Sequence, residues 1–306
     1  MQRRLIDYFI ISLKGLAMGA ADAVPGVSGG TIAFISGIYE ELISSISNIN
    51  ISLFKTLFSK GLKAFWEQLN GNFLLALATG IIISFVSFMK LAKYLLENHP
   101  ILIWSFFFGL IVASIYFVGK QISKWNASVI IALIVGAGIA FYITRLPALT
   151  TSESALYLFL AGAIAICAMI LPGISGSFIL IILGAYKTLS DAIHDIDIKK
   201  ILVFVSGALV GLLSFSHILK WLFKHYHNIT LALLTGFIFG SLNKVWPWKK
   251  TLTWHTNSKG IKTPVLQESI SPFSFDGESQ LLFAIILMII GFLTIFILEK
   301  VGSKKQ

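Results

Sequence analysis

The sequence predicts an all-α polytopic membrane protein built from two inverted structural repeats, each a re-entrant helical hairpin followed by three transmembrane helices. Three observations predict it. The chain is 56% hydrophobic and 12% charged, against about 25% charged residues in soluble domains, and its mean hydropathy is +0.85. Its apolar runs approach or exceed the roughly 20 residues that a helix needs to cross a bilayer, and they are continuous rather than alternating, which argues against a β-barrel. A helix-breaking motif occurs twice inside such runs, as Pro25-Gly26-Val27-Ser28-Gly29 and Pro172-Gly173-Ile174-Ser175-Gly176. Broken helices in matching positions of two halves mark carriers assembled from repeats.

The motifs lie 147 positions apart in a chain of 306. At that spacing Gly37 also matches Gly184, Tyr39 matches Tyr186, Leu42 matches Leu189 and Ile46 matches Ile193. A second set of matches, at 127, pairs Gly80 with Gly207, Ser87 with Ser214, Phe88 with Phe215, Lys93 with Lys220, Leu95 with Leu222 and Gly109 with Gly236. The difference of 20 requires an insertion in the first half. The first repeat, 1–150, then reads as a hairpin over 5–46, an insert over 47–72 and helices near 73–96, 101–118 and 127–144. The insert carries Lys55, Lys60, Lys63 and Trp66 among apolar residues and predicts one or two amphipathic surface helices. The second repeat, 151–306, reads as a hairpin over 155–193 and helices near 201–223, 229–245 and 281–298, with a long loop over 244–280. The last helices of the two halves correspond more loosely. The whole forms one integral membrane domain.

Loop charges set the orientation. Arg3 and Arg4 place the N-terminus in the cytoplasm by the positive-inside rule. If 5–46 dips in and returns to its own side, Lys55, Lys60 and Lys63 are cytoplasmic, and so are Lys120, Lys124, Lys220, Lys224, Lys300, Lys304 and Lys305. The near-neutral loop 145–153 falls outside. One hairpin plus three crossings is an odd count, so the halves are inverted and the hairpins enter from opposite faces. The exception is the loop 244–280, basic in its first part yet placed outside; long loops obey the rule less strictly. A formal charge of +10 does not point to nucleic acid, because the basic residues sit in loops and at helix ends, where orientation and anionic lipid account for them.

The motif chemistry suits an oxyanion. Pro25 and Pro172 supply no backbone N–H and disfavour helix before them. Gly26, Gly29, Gly30, Gly173 and Gly176 allow close approach of a ligand. Ser28, Thr31, Ser175 and Ser177 offer hydroxyls, and the helices that follow begin with free N–H groups. Irregular backbone at membrane depth is tolerated where it lines protein or a wet cavity. A lone copy would pass for an ordinary turn; its duplication with Ser and Gly retained favours a substrate-binding role. Asp22, matched by Met169, is not required by the turn. As an intramembrane carboxylate it is a candidate for carrying a coupling proton. Lys14 is a candidate partner of a phosphate or of Asp22, or a residue that snorkels to the cytoplasmic surface. Lys93 and Lys220, at equivalent positions of inverted halves, are candidate headgroup contacts or interfacial anchors.

Gly26-Val27-Ser28-Gly29 also resembles the serine motif of intramembrane proteases. Nucleophilic catalysis needs a base within reach, and His217 is the one histidine inside an apolar segment. A catalytic serine also has no reason to occur twice, so an intramembrane serine hydrolase remains a remote alternative. No zinc or nucleotide motif appears, the single Cys167 forms no disulfide framework within the chain, and no cofactor or metal is expected.

The run Gly19-Ala20-Ala21-Asp22-Ala23-Val24-Pro25-Gly26-Val27-Ser28-Gly29-Gly30-Thr31 with Gly37-Ile38-Tyr39 resembles the signature of the PopT family of bacterial polytopic proteins. Leu171-Pro172-Gly173-Ile174-Ser175-Gly176-Ser177 with Gly184-Ala185-Tyr186 resembles its second element. The resemblance covers essentially the whole chain. It implies translocation of undecaprenyl phosphate from the outer to the inner leaflet of the bacterial cytoplasmic membrane, for carrier-lipid recycling, with undecaprenyl phosphate and membrane lipids as the partners. The alternative is a secondary carrier of a small soluble oxyanion. A lipid carrier predicts a groove open sideways near Phe106, Phe107 and Phe108; a soluble-anion carrier predicts a closed, watery centre.

Overall fold

The computed structural model describes residues 3–24, 27–147, 149, 154–256 and 262–303. Among these the chain is mostly helical. Five helices are long and apolar enough to cross a membrane, or six if one bent pair counts as a span.

The first half opens with α1 (Leu5–Asp22), α2 (Gly29–Ile35) and α3 (Tyr39–Ser47). Then α4 (Ile51–Leu69) follows, interrupted at Gly61 by a non-helical φ of 82°. It exposes Phe54, Phe58 and Leu62 beside Lys55, Lys60 and Lys63. Three long helices complete this half: α5 (Gly71–Asn98), α6 (Pro100–Gly119) and α7 (Ala127–Thr144). Pro100 starts α6 at a position where its missing N–H leaves no bond unmade, and the Asn126 side chain caps α7 through the Val129 amide.

The second half opens with α8 (Ala155–Ile170), α9 (Gly176–Ile182) and α10 (Ala185–His194). The last two are bent by 109°. The two segments expected near 201–223 and 229–245 form a single α11 (Ile198–Gly240), broken at Tyr226, where φ is −135°, and extended by α12 (Leu242–Val245). The loop that follows adds a β-hairpin to this helical chain. Strands β1 (Lys249–Thr256) and β2 (Lys262–Ser269) pair antiparallel there, from Lys249 opposite Ser269 to Thr256 opposite Lys262. The physical reason is local: alternating β-branched residues at Thr251 and Thr253 suit a strand. Finally α13 (Leu281–Ser303) closes the chain.

Apolar attraction between helices vanishes in lipid, so small residues that permit backbone contact organise the bundle. α1 packs along α5, α8 along the first part of α11, α6 along α13, and α7 along the second part of α11. At each seam a glycine faces a backbone carbonyl. Gly15 faces Leu77 and Gly80 faces Ser12; in the second half Gly162 faces Phe204 and Gly207 faces Phe159. Gly109 faces Met288 and Gly291 faces Phe106, while Gly236 faces Leu133 and Gly136 faces Leu233. The first four contacts repeat at the sequence spacings of 147 and 127, and the last four at 127 and 155. At a spacing of 155, α7 and α13 carry matching glycine contacts. α6 and the span 227–245 are each 61% buried, whereas α5, α7 and the span 198–225 are 17% buried. The former lie at the centre of the bundle, and the latter turn residues such as Ile82, Ile131 and Leu202 outward, as lipid-facing helices do.

Candidate functional site: the junction of the two motif loops

Both motif copies break a helix. In the second, Gly173 holds φ at +87°, and a side chain there would also meet the Phe237 carbonyl at 2.8 Å. Only glycine satisfies both constraints. In the first copy Pro25 and Gly26 lie outside the described residues; their neighbours Val24 and Val27 are fully buried.

The two loops meet. The Thr31 hydroxyl oxygen accepts a hydrogen bond from the Gly173 amide at 2.9 Å. The Ser28 hydroxyl lies 3.3 Å from the Leu171 carbonyl and 3.4 Å from that of Met169. Its oxygen also accepts from the Gly30 amide at 3.1 Å and so caps α2. A Cβ at Gly30 would lie 2.6 Å from the Ile170 carbonyl, so this glycine sets how closely the loops approach. Ser175 precedes α9 without capping it; its hydroxyl pairs with that of Ser177 at 2.9 Å. Gly176 lies against the Ala165 carbonyl. Ser28, Thr31 and Ser175 are buried at the junction.

Asp22 accepts from the Gly29 amide at 2.7 Å. It therefore clamps the far end of the loop, and its carboxylate fills the space where a side chain on residue 29 would stand. Asp22→Asn keeps an oxygen acceptor, whereas Asp22→Ala strands the Gly29 amide. We expect Asp22→Ala to lower stability by about 1–3 kcal/mol and Asp22→Asn to change it far less, as read by thermal unfolding of the purified protein.

Of the three predicted lysines, Lys14 and Lys220 bond away from this junction. Lys14 donates to the Ser36 carbonyl at 2.6 Å and so caps the C-terminal end of α2. Lys220 is exposed and donates to Asn48 at the end of α3. Lys93 lies on α5, with its side chain outside the described residues. Sequence reading missed Tyr157, whose hydroxyl donates to the Leu183 carbonyl. Ser36 and Leu183 are 147 positions apart and end α2 and α9, so two chemically different side chains cap equivalent carbonyls. His217 is tied to the Leu213 carbonyl of its own helix at 2.7 Å, and the Ser28 hydroxyl is bonded within the junction, so neither serves a hydrolytic pair. Among the described residues no group of His, Cys, Asp and Glu could hold a metal ion.

Away from the junction, Phe108, Gly109, Met288 and Phe292 line a wholly apolar groove of about 250 Å³ between α6 and α13. It is open rather than enclosed.

Residues 18–263 match the model of a family described as undecaprenyl phosphate translocase-like. The chain is similar to a polyprenyl-phosphate transporter of Vibrio cholerae, 47% identical over 308 aligned residues that cover 99% of this chain and 100% of the relative. It is also similar to a polyprenyl-phosphate transporter of Staphylococcus aureus, 34% identical over 254 residues, covering 77% of this chain and 85% of the relative. No solved structure matches the chain.

Proposed function

The chain belongs to the undecaprenyl phosphate translocase-like family, and from that membership we propose that it carries undecaprenyl phosphate from the outer to the inner leaflet of the bacterial cytoplasmic membrane. It acts as a transporter, not an enzyme. The observation that carries the reading is the meeting of the two motif loops through Thr31, Gly173, Ser28 and Leu171. Moving a phosphate through hydrocarbon is prohibitive unless its charge is held. Opening the junction frees the Ser28, Thr31 and Ser175 hydroxyls and the Gly173 amide to hold it. The prenyl chain stays outside in apolar surroundings, for which the lateral groove beside Phe108 is suited. That groove favours a lipid substrate over a soluble oxyanion.

Alternating access follows from symmetry. The exchanged seams, α6 with α13 and α7 with α11, are what a twofold axis relating the halves produces. An odd count of one hairpin and three crossings per half makes that axis lie in the membrane plane. Rocking one half on the other then exposes the junction to each leaflet in turn, with both termini cytoplasmic. The membrane potential opposes inward movement of an anion by roughly 2.3 kcal/mol per charge per 100 mV. Asp22, bound to the loop by one hydrogen bond, is placed to take up a proton as the loop moves and so offset that charge.

Proteoliposomes test this with two substrates side by side. Transfer of a labelled prenyl phosphate between leaflets is expected, speeded by a proton gradient in the wild type and indifferent to it in Asp22→Asn. Uptake of inorganic phosphate without lipid transfer would favour the soluble-anion carrier, and indifference of the wild type to the gradient would remove proton coupling.

A further inference from the structure

We propose that a basic cleft between the β-hairpin and the second motif hairpin docks the phosphate of a prenyl monophosphate whose chain lies in the adjoining α6–α13 groove. The proposal rests on the lipid-phosphate reading and gives the substrate a docking place outside the motif junction.

Lys244 on α12 and Lys249 at the start of β1 share this cleft with Phe178 of α9, Asn243 and Ser269. The Lys244 ammonium lies over the Phe178 ring at 4.1 Å. The Lys249 ammonium lies over the Trp104 ring of α6 at 3.8 Å and donates to the Lys244 carbonyl at 2.6 Å. Among the described residues neither ammonium has a carboxylate partner. Burial, and then the Lys244 charge, hold the pKa of Lys249 well below its ordinary value. Two cations drawn together in a partly buried cleft without a counter-ion are unfavourable on their own. A phosphate monoester carries the charge that both lack. The walls are ordered in advance, since the Ser269 hydroxyl donates to Asn243 Oδ1 at 2.8 Å and strand pairing fixes Lys249 opposite Ser269.

The tail follows from α6. Trp104 and Phe108 are four residues apart and therefore on one helix face. Trp104 lies under the Lys249 ammonium, and Phe108 lines the apolar groove with Met288 and Phe292. Trp246, two residues beyond Lys244 in the chain, has its ring 5.3 Å from that of Phe108 and 5.5 Å from that of Trp248, the residue before Lys249. The lysine pair and the apolar groove thus lie one helical turn apart along α6, which matches a headgroup with a long chain rather than a free anion. The cleft also explains the one exception to the charge rule. Two of the lysines in the loop expected outside face into the protein, on the face where the substrate starts.

The test uses full-length protein in nanodiscs, wild type against Lys244→Gln/Lys249→Gln, titrated with farnesyl phosphate and separately with inorganic phosphate, with leaflet transfer measured on the same preparations. Farnesyl phosphate is expected to bind the wild type at least about tenfold more tightly than it binds the double variant, and more tightly than inorganic phosphate does, a tenfold step being about 1.4 kcal/mol. A lysine-dependent site that binds inorganic phosphate equally well overturns the prenyl assignment. A folded double variant that binds farnesyl phosphate normally, while the wild type transfers lipid, overturns the cleft alone. A wild type that transfers no lipid overturns the reading beneath it. If the double variant does not fold, amine labelling of the wild type decides: farnesyl phosphate should protect Lys244 and Lys249 but not exposed Lys120, and equal labelling of all three sinks the proposal.

Discussion

Gly80→Val and Gly207→Val will each prevent accumulation of a monodisperse, folded protein. At Gly80 a Cβ is driven into the Ser12 carbonyl, and at Gly207 into the Phe159 carbonyl. The obstruction is backbone in both cases, so no rotamer change relieves it. α1 must move off α5, or α8 off α11, and both α1 and α8 end in a motif loop. Moderate overpacking costs about 1–3 kcal/mol; a branched side chain against backbone exceeds that range. The two variants should fail alike because their contacts are equivalent at spacings of 147 and 127. Gly138→Val supplies the control, since a Cβ there meets nothing within 4 Å, and it should purify like the wild type. Size-exclusion profiles of the three variants, expressed in parallel, check this.

Thr31→Val will leave a folded protein that transports poorly. Valine matches threonine in shape but cannot accept the Gly173 hydrogen bond of 2.9 Å. Both residues are buried, so the amide has no water to replace the lost partner. An orphaned buried donor costs about 1–3 kcal/mol, which is tolerable for a bundle held by four glycine seams. The loss falls on the contact that couples the hairpins and on a group assigned to the phosphate. Thr31→Ser restores the hydroxyl and should recover both stability and transport. A Thr31→Val protein with a lowered melting temperature and full transport would leave the hydroxyl a structural role only.

Much of this architecture is legible in the sequence because its marks are backbone marks. Gly80 and Gly207, or Gly109 and Gly236, recur at one spacing because a glycine at a helix seam cannot be exchanged for anything larger. The PG-x-SG copies are conspicuous because proline and glycine break helices, as Gly173 does with its positive φ. The α7–α13 correspondence was faint because only scattered small residues such as Gly136 and Gly291 carry it, amid aliphatic residues that lipid accepts interchangeably. The pair of carbonyl caps was invisible because Lys14 and Tyr157 share a task and no chemistry. The β-hairpin was passed over because hydropathy marks 244–280 only as polar, although Thr251, Thr253 and His255 alternate along the chain with Leu252 and Trp254 as strand residues do. Lys244 and Lys249 read as loop charges until the hairpin folds them back over Phe178 and Trp104. Lys220 matches Lys93 at the repeat spacing, and it bonds Asn48 at the end of α3.

The most direct test of the central claim, that the junction of the two motif loops carries the phosphate across, is the rate of prenyl-phosphate transfer between leaflets by Ser28→Ala/Ser175→Ala against wild type. Both proteins must be reconstituted at equal density and shown folded by their melting curves. The account predicts a fall of at least about tenfold, equivalent to some 1.4 kcal/mol in the barrier, with the protein intact. Equal rates from the two proteins would contradict it and move the path of the phosphate away from the junction.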